Sequence, residues 1–279
     1  MQRTNSIGWA GFTVQKVILL FLTIMALFPI YFMIVTAFKT QNDYVANKFG
    51  LPGAFTFDNF GTVFAQDNFI KWFLNSTILT FGSVALTLVL AVLAGYAVAK
   101  IRFPGKKWVM NVVIALMIVP PVVMVIPLFG MMSRAGMINS QFGVILIYTG
   151  LLLPFSIYLL SNFFRAIPDE IIEAAMIDGC NLLQILFRIV VQTSLPAFIT
   201  LMIVNSVWVW NELLISVIFL QDDTLKTLMT GLTVFKSKYT LNIPVTMAGL
   251  IISTLPIAIM YFIGQKSFVE GLTAGAVKG

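Results

Sequence analysis

One acidic side chain, Glu212, lies in the middle of a long apolar stretch and is the residue best placed for buried chemistry. The chain contains no histidine and one cysteine, Cys180. These counts exclude histidine-based acid–base catalysis, an intrachain disulfide and the usual histidine or cysteine metal sites. Glu212 also has no second carboxylate beside it, which disfavours an intramembrane enzyme. We therefore predict no catalytic residue and no metal ligand in this chain.

The composition determines the broad class of protein. Of the 279 residues, 59% are hydrophobic and 10% are charged, whereas soluble domains carry about 25% charged residues. A soluble fold of this size has no way to bury so much apolar surface, so a soluble enzyme is excluded. The formal net charge of +6 is typical of basic residues at a cytoplasmic membrane edge and requires no nucleic acid as partner.

Charged residues divide the chain into six long stretches of low charge. Roughly 20 apolar residues in a helix cross a bilayer core of about 30 Å, and the β-strand alternation of a membrane barrel is absent. We predict an all-α polytopic membrane protein forming a single transmembrane domain, residues 1–279. Its six transmembrane helices are expected near residues 17–38, 74–99, 108–132, 142–164, 196–220 and 244–265. The Pro120-Pro121 pair makes the third of these the least straight.

Basic residues predict the orientation in the membrane. The short segment 100–107 holds four of them in eight residues, and short basic loops stay on the cytoplasmic side. We therefore expect both termini to be cytoplasmic. The first apolar run is too long for a signal peptide and lacks a small-residue cleavage site, so we expect it to be retained as a span.

The segment between the fourth and fifth spans, residues 165–192, has the pattern of a helix. Pro168 favours a helix start and Gly179 a helix end. The expected apolar face carries Ile171, Ile172, Ala175 and Met176, and the opposite face carries Asp169, Glu170 and Glu173. A helix lying among lipid headgroups is one reading, but such helices usually carry Lys or Arg. The acidic face favours a protein partner.

Here the sequence resembles a known family. Glu173, Ala174, Ala175, Gly179 and Ile189 are spaced as in the EAA motif of ABC-importer permeases. In that family the segment is a coupling helix that docks into a cleft on the ATPase subunit. The motif continues as Ile-x-Leu-Pro, but Gln192 stands at the proline position here. This departure affects the turn that ends the motif and leaves the docking helix intact.

Other stretches resemble the carbohydrate-importer branch, more closely the smaller permease of maltose-type systems. They are Ala37-Phe38-Lys39-Thr40, Trp210-Asn211-Glu212 and the run from Gly271 to Gly279, which ends the C-terminal tail, residues 266–279. The resemblance implies the type I ABC importer permease fold. It also implies that Thr273 and Gly275 in the tail reach the ATPase subunits. Without it, such a run of small residues predicts only a flexible end.

The fifth span carries the candidate substrate-path residues. On a helical wheel Asn205, Trp208 and Glu212 share one face, with Asn211 at its edge. An aromatic surface flanked by amide and carboxylate groups suits a sugar, which offers flat apolar faces and hydroxyls. The other interpretation is structural, with Glu212 and Asn211 bonded to a neighbouring helix. The sequence leaves both open.

The resemblance implies a bacterial inner-membrane permease that imports a sugar, a di- or oligosaccharide, by alternating access driven by ATP. Its implied partners are a second permease in a heterodimer, two copies of a cytoplasmic ATPase and an extracellular or periplasmic solute-binding protein. ATP and magnesium belong to the ATPase, since this chain has no Gly-x-x-x-x-Gly-Lys-Ser/Thr phosphate loop. The alternative is a secondary transporter coupled to an ion gradient through Glu212, although the sequence shows no inverted repeat.

Overall fold

The computed structural model describes the backbone of residues 9–66, 68–238 and 242–276, with side chains for residues 13–66, 68–233 and 242–265. Every regular element in these ranges is helical, which confirms the predicted all-α class. The helices are α1 Trp9–Ala37, α2 Gln41–Ala46, α3 Asp58–Phe64, α4 Phe69–Lys100, α5 Lys106–Ile118, α6 Pro121–Arg134, α7 Gln141–Arg165, α8 Asp169–Ile177, α9 Leu182–Thr193, α10 Leu195–Asn211, α11 Leu214–Phe219, α12 Leu228–Lys238 and α13 Ile243–Ala276.

Four of these helices contain a segment long and apolar enough to cross a membrane. The segments are Thr13–Ala37, Phe69–Lys100, Gln141–Arg165 and Ile243–Gln265. Two further pairs reach that length only when joined across a bend, of 103° between α5 and α6 and of 78° between α9 and α10. Counting each bent pair as one span gives six, the number that the sequence predicts.

The chain divides into two compact units, one of residues 1–67 and 232–253 and one of residues 68–231 and 254–279. In the first unit the end of α1 is held by side chains. The Asn59 amide donates to the carbonyl oxygens of Ala37 at 2.8 Å and Lys39 at 2.7 Å. Lys39 is fully buried, and its ammonium donates to the Asn47 carbonyl at 2.6 Å. Its position just beyond the helix also suits the negative end of the α1 dipole.

In the second unit α4 packs along α7, and a line of small residues runs along α4. Ser76, Thr80, Ser83, Thr87, Ala91 and Gly95 follow one another at helical spacing along α4 and are all buried. At Gly95 an added Cβ would lie 3.3 Å from the Cβ of Leu160 on α7. Small residues let membrane helices approach closely, so packing rather than the hydrophobic effect holds this pair together.

Prolines account for the two bends. Pro120 has an extended backbone with ψ of 134° because Pro121 follows it, and a residue before proline avoids the helical region. This agrees with the prediction that the third span is not straight. At the second bend Ser194 leaves the helical region just before α10, which has Pro196 in its first turn.

The prediction of one uninterrupted helix over residues 196–220 is wrong. The structure ends α10 at Asn211 and begins α11 at Leu214, and Glu212 between them is extended with ψ of 128°. The physical reason is that the Glu212 carboxylate accepts hydrogen bonds from backbone N–H groups of α11 and so replaces the helical ladder. The helical wheel therefore does not apply beyond Asn211.

Candidate functional site

The short helix α8, Asp169–Ile177, contains the motif residues Glu173, Ala174 and Ala175. It ends where the sequence predicts, because Gly179 adopts a φ of +82°. The Cys180 N–H donates to the Ala175 carbonyl at 3.0 Å, and the Gly179 N–H donates to the Met176 carbonyl at 3.1 Å. These two hydrogen bonds form a Schellman cap, in which the residue at the position of Gly179 has a left-handed backbone conformation.

The faces of α8 differ in part from the expected pattern. Only Ile172 and Ala175, each 7% exposed, pack against the second unit's core. Ile171 and Met176 are about half exposed, and Ile177 is 87% exposed. The acidic residues of the helix are exposed as predicted. α8 thus presents an exposed surface on which acidic and apolar side chains are mixed, with Ile177 one turn beyond Glu173 on the acidic face.

The start of α8 is tied to the end of α4. The Lys100 ammonium donates to the Ile167 carbonyl and to the Asp169 carboxylate, both at 2.5 Å, while its own side chain is only 6% exposed. The hydrogen bond from Lys100 and its positive charge hold the pKa of Asp169 below its ordinary value. Sequence reasoning missed Lys100 because it lies 69 residues before Asp169 in the chain.

The segment after Gly179 begins a new helix with its own cap. The Asn181 and Gln184 side chains each accept from the other's backbone N–H, at 2.9 and 2.8 Å, which forms a capping box. α9 then includes a π-helical turn, Leu186–Val190. Gln192, at the position where the motif has proline, lies in the last turn of α9, and the chain bends two residues later at Ser194.

The opposite end of α4 holds the connection between α11 and α12. The Trp72 indole N–H donates to the Asp223 carbonyl at 2.7 Å, and the Asn75 amide donates to the carbonyls of Thr224 and Lys226. Further along α4, the Ser76 hydroxyl accepts from the Leu228 N–H. α4 therefore contacts α8 at its last residue and this connection at its first turns.

The structure places Glu212 at a helix break between α10 and α11. Its carboxylate accepts from the N–H groups of Ile215 at 2.9 Å and Ser216 at 3.2 Å, and from the Tyr148 hydroxyl of α7 at 2.8 Å. The adjacent Asn211 is exposed and donates to the Val207 carbonyl. These contacts support the structural interpretation of Glu212, with the carboxylate capping α11 and joining it to α7.

Asn205 and Trp208 instead come together at a cavity of about 410 Å³ in the second unit. Its wall is formed by the α5–α6 bend, by α7 around Pro154 and by α10. Glu212 and Asn211 are not among its lining residues. The residues that line it are Leu116, Met117, Val119, Pro121, Met124, Gly150, Leu151, Leu152, Pro154, Phe155, Val204, Asn205 and Trp208.

The predicted tail contact falls at the edge of the described chain. Thr273 and Gly275 lie in α13, whose helical backbone continues to Ala276. The Thr273 side chain and residues 277–279 lie outside the described part. Among the described residues, no three His, Cys, Asp or Glu side chains are grouped closely enough to hold a metal ion.

The helical membrane fold and the capped helix α8 define a class of protein. Residues 87–273, well over half of the chain, match the family described as binding-protein-dependent transport system inner membrane component. The chain belongs to this family and is a multi-pass permease of the inner membrane. The resemblance seen in the motif of α8 is thereby confirmed.

Curated relatives match nearly the whole chain. A putative ABC transporter permease of Caldicellulosiruptor is 36% identical, over 92% of this chain and 94% of the relative. The diacetylchitobiose uptake system permease DasC of Streptomyces coelicolor is 35% identical over 90% and 92%. The melibiose/raffinose/stachyose import permease MelC of Bacillus subtilis is 33% identical over 90% and 91%.

A solved structure shows the same fold. A chain of a bacterial ABC transporter that imports the acidic polysaccharide alginate superposes with a TM-score of 0.84 at 24% identity, covering 96% of this chain and 99% of that one. At this identity the likeness concerns the fold, and it confirms the predicted permease architecture.

Proposed function

We propose that this chain is one of two different permease subunits in an ATP-driven importer that moves a sugar into the cell by alternating access. The substrate class rests on the relatives, since MelC and DasC are named for oligosaccharides of two to four sugar units. Both match this chain over about nine-tenths of its length. A di- or oligosaccharide is therefore the substrate that we propose.

The exposed surface of α8 is the observation that carries this function. Ile177 is 87% exposed at the end of a helix whose start is fixed by Lys100 and whose end is fixed by the Gly179 cap. A rigid, partly apolar helix of this kind suits insertion into a groove on a partner protein. We propose that it docks on one of two copies of a cytoplasmic ATPase, which would bind ATP and magnesium.

Exposed apolar surface elsewhere supports the other partners. None of the side chains in the most apolar window of α1 is buried, and none of those in α6 is buried. Lipid and a second permease subunit would cover such surfaces. A solute-binding protein would deliver the sugar on the outer side, which follows from the family description. In the proposed orientation both termini and α8 lie in the cytoplasm.

A role for Glu212 in ion coupling receives no support from its contacts. Its carboxylate already accepts bonds from Tyr148, Ile215 and Ser216. Relatives named as ABC transporter permeases likewise support an importer powered by a separate ATPase. We therefore propose no secondary transport.

Reconstitution in proteoliposomes tests the proposal. The chain is assembled with a second permease and an ATPase from the same organism, and uptake of labelled melibiose, raffinose and diacetylchitobiose is measured with the binding protein and internal ATP. We expect ATP-dependent uptake of at least one of these sugars. Uptake driven by a proton or sodium gradient without ATP would contradict the proposal.

A matched pair of variants tests the docking surface. Ile177→Asp replaces the most exposed apolar side chain of α8 by a charge and should abolish co-purification of the ATPase. Val45→Asp, at a residue of α2 that is 64% exposed and expected on the outer side, makes the same change and should leave co-purification intact. Equal retention of the ATPase by both variants would remove α8 as its docking site.

A further inference from the structure

Basic side chains gather where three helices of the second unit meet. α4 ends at Lys100, α7 ends at Arg165, and α5 begins at Lys106. These three residues, together with Arg102 in the turn between α4 and α5, form the basic cluster. We propose that the basic cluster binds the phosphate headgroup of an anionic membrane phospholipid. This inference goes beyond the proposed function, since it depends neither on the sugar nor on the orientation of the chain in the membrane.

The packing of α4 against α7 brings the ends of these two helices together. A Cβ added at Gly82 would lie 2.8 Å from the Ile145 side chain, and one added at Gly95 would lie 3.3 Å from Leu160. The contacts therefore advance in the same direction along both helices. α4 and α7 run parallel, so their last residues lie on the same face of the unit.

The basic cluster concentrates positive charge that the chain itself neutralises only in part. Arg165, Arg102 and Lys100 all lie close enough to Lys106 to repel its ammonium group. Among the described residues, the acidic group that acts on this ammonium is Asp169, which is already paired with Lys100. Four basic groups against one carboxylate leave three positive charges unmatched. An anion placed among them would relieve their repulsion.

The two arginines have donors available for such an anion. Arg102 and Arg165 are exposed, and neither forms a hydrogen bond or an ion pair with another described residue. A guanidinium offers a planar fork of N–H groups that matches phosphate oxygens in pairs. The half-buried Lys106 ammonium donates to the carbonyls of Ala99 at 3.1 Å and Ile101 at 3.2 Å. These bonds use two of its three hydrogens, and the third is left for an anionic oxygen.

The turn that carries Arg102 is held in place by its neighbours. Phe103 packs with Val98 of α4 and Met110 of α5. Gly105 has a φ of +84°, a conformation that glycine adopts readily, and this lets the chain turn directly into α5. Groups that are already positioned lose less conformational freedom when a ligand binds, so a fixed turn favours binding.

The position of the basic cluster selects a lipid as its anion. Lys100 and Arg165 are the last residues of two segments long and apolar enough to cross a membrane, so the cluster lies at the level of the headgroups. Trp108 near the start of α5 is 70% exposed, and indoles favour this interface. Val112 and Leu116 follow it at helical spacing and are also exposed. They offer an apolar surface to the acyl chains of a lipid whose headgroup is bound by the cluster.

Quenching by brominated lipids tests the inference. The importer complex is placed in nanodiscs of phosphatidylcholine, in which brominated phosphatidylglycerol or brominated phosphatidylcholine replaces an increasing fraction of the lipid. Bromine on an acyl chain quenches tryptophans that the chain contacts, and the difference between wild type and Trp108→Phe isolates the emission of Trp108. We expect phosphatidylglycerol to be preferred at Trp108 by about fivefold or more, the effect of one basic residue near an anionic headgroup. Equal quenching by the two lipids would overturn the inference.

Variants separate the basic cluster from the general charge of this membrane face. Arg102→Gln and Arg165→Gln each remove one charge and should each lower the preference for phosphatidylglycerol about threefold to fivefold. Arg102→Lys keeps the charge and should retain most of the preference. Arg188→Gln is the matched control, because Arg188 is exposed in α9, is expected on the same side of the membrane and lies outside the cluster. An equal loss in Arg188→Gln would show diffuse attraction and no site.

Two further outcomes would assign the basic cluster to another partner. Inorganic phosphate added at constant ionic strength should leave the preference unchanged, and its abolition would mean that the cluster binds a soluble anion. Loss of ATPase co-purification in Arg102→Gln and Arg165→Gln, with equal quenching by both lipids in the wild type, would assign the cluster to the ATPase. If neither variant assembles, the comparison of the two lipids on the wild-type complex decides.

The lipid measurement and the transport measurement fail independently. Equal quenching by both lipids in a complex that takes up sugar with ATP would remove the lipid site and leave the proposed function intact. A preference for phosphatidylglycerol in a complex without ATP-dependent uptake would contradict the proposed function and leave the lipid site standing.

Discussion

The Tyr148 hydroxyl lies 2.8 Å from the Glu212 carboxylate and donates a hydrogen bond to it, joining α7 to the break between α10 and α11. The same carboxylate accepts from the N–H groups of Ile215 and Ser216 at the start of α11. The acidic residue that the sequence singles out for chemistry is therefore engaged by the protein itself.

Glu212→Ala should lower the stability of the assembled complex and leave its affinity for sugar unchanged. The change leaves two backbone N–H groups and the Tyr148 hydroxyl without an acceptor, and each unpaired buried group costs about 1–3 kcal/mol. Glu212→Gln keeps one acceptor oxygen and should be milder. Thermal unfolding and the concentration dependence of uptake, measured on the same preparations, check both statements. A raised KM at unchanged stability would instead assign Glu212 to the sugar.

Gly179→Val should uncouple ATP hydrolysis from transport. The residue has a φ of +82°, and an added Cβ would meet no described atom within 4 Å, so conformation alone determines the cost. A left-handed conformation is unfavourable by about 1–2 kcal/mol for residues with a side chain, and Asn tolerates it better. We therefore expect the amount of sugar transported per ATP hydrolysed to fall from the wild type to Gly179→Asn and to fall further in Gly179→Val.

Gly61→Val is the matched control for Gly179. Gly61 also has open space around its Cβ position, but its φ is not positive. This variant should transport normally. Full coupling in Gly179→Val at normal expression would show that the cap of α8 does not matter.

Lys100→Met should reduce the maximal rate of transport more than Asp169→Asn. Lys100 bonds both the Asp169 carboxylate and the Ile167 carbonyl, so its loss frees two acceptors, whereas the Asn change removes one charge. Because both residues act through the position of α8, the KM for sugar should stay constant while the turnover number falls. A changed KM at a constant turnover number would show that Lys100 and Asp169 affect sugar binding and do not act through the position of α8.

The ion pair between Lys100 and Asp169 also predicts how coupling depends on pH. A carboxyl whose pKa is lowered in the folded protein stabilises the fold at pH values above its ordinary pKa of 3.8. This stabilisation is lost as the pH falls through the lowered pKa. The contact between Lys100 and Asp169 should therefore give coupling no pH dependence between about pH 5 and 8. A titration of coupling in that range that disappears in Asp169→Asn would contradict the assignment.

Removing residues 273–279 should leave membrane insertion intact and alter the coupling of ATP hydrolysis to transport. The segment includes Thr273 and Gly275, and α13 continues helically to Ala276, although an end that hangs free is usually dispensable. ATPase rate and uptake are compared in truncated and full-length complexes. Identical values in both assays would show that the tail has no contact of consequence.

The extent of α7 and the end of α8 agree with local sequence patterns because both depend on neighbouring residues. The fourth predicted span, 142–164, lies within α7, Gln141–Arg165, since charge and hydropathy mark its ends. The turn at Gly179 was predictable because glycine favours the required φ. In both cases the deciding interactions lie within a few residues of one another.

The interior of the fifth span was not predictable, because it depends on distant contacts. A helical wheel assumes an unbroken helix, but the break at Glu212 is supported by Tyr148, 64 residues earlier. Likewise, the residue that fixes α8, Lys100, precedes Asp169 by 69 residues. No local pattern indicates which of these partners meet.

The length of α4 has a mechanical consequence. Its 32 residues form a rod of about 48 Å at 1.5 Å per residue. Asn75 near one end holds Thr224 and Lys226, while Lys100 at the other end holds Asp169. A tilt of about 5° about one end would carry the other by about 4 Å, a displacement larger than a hydrogen bond is long. Such a lever would transmit movement between opposite faces of the membrane without any change in its own internal structure.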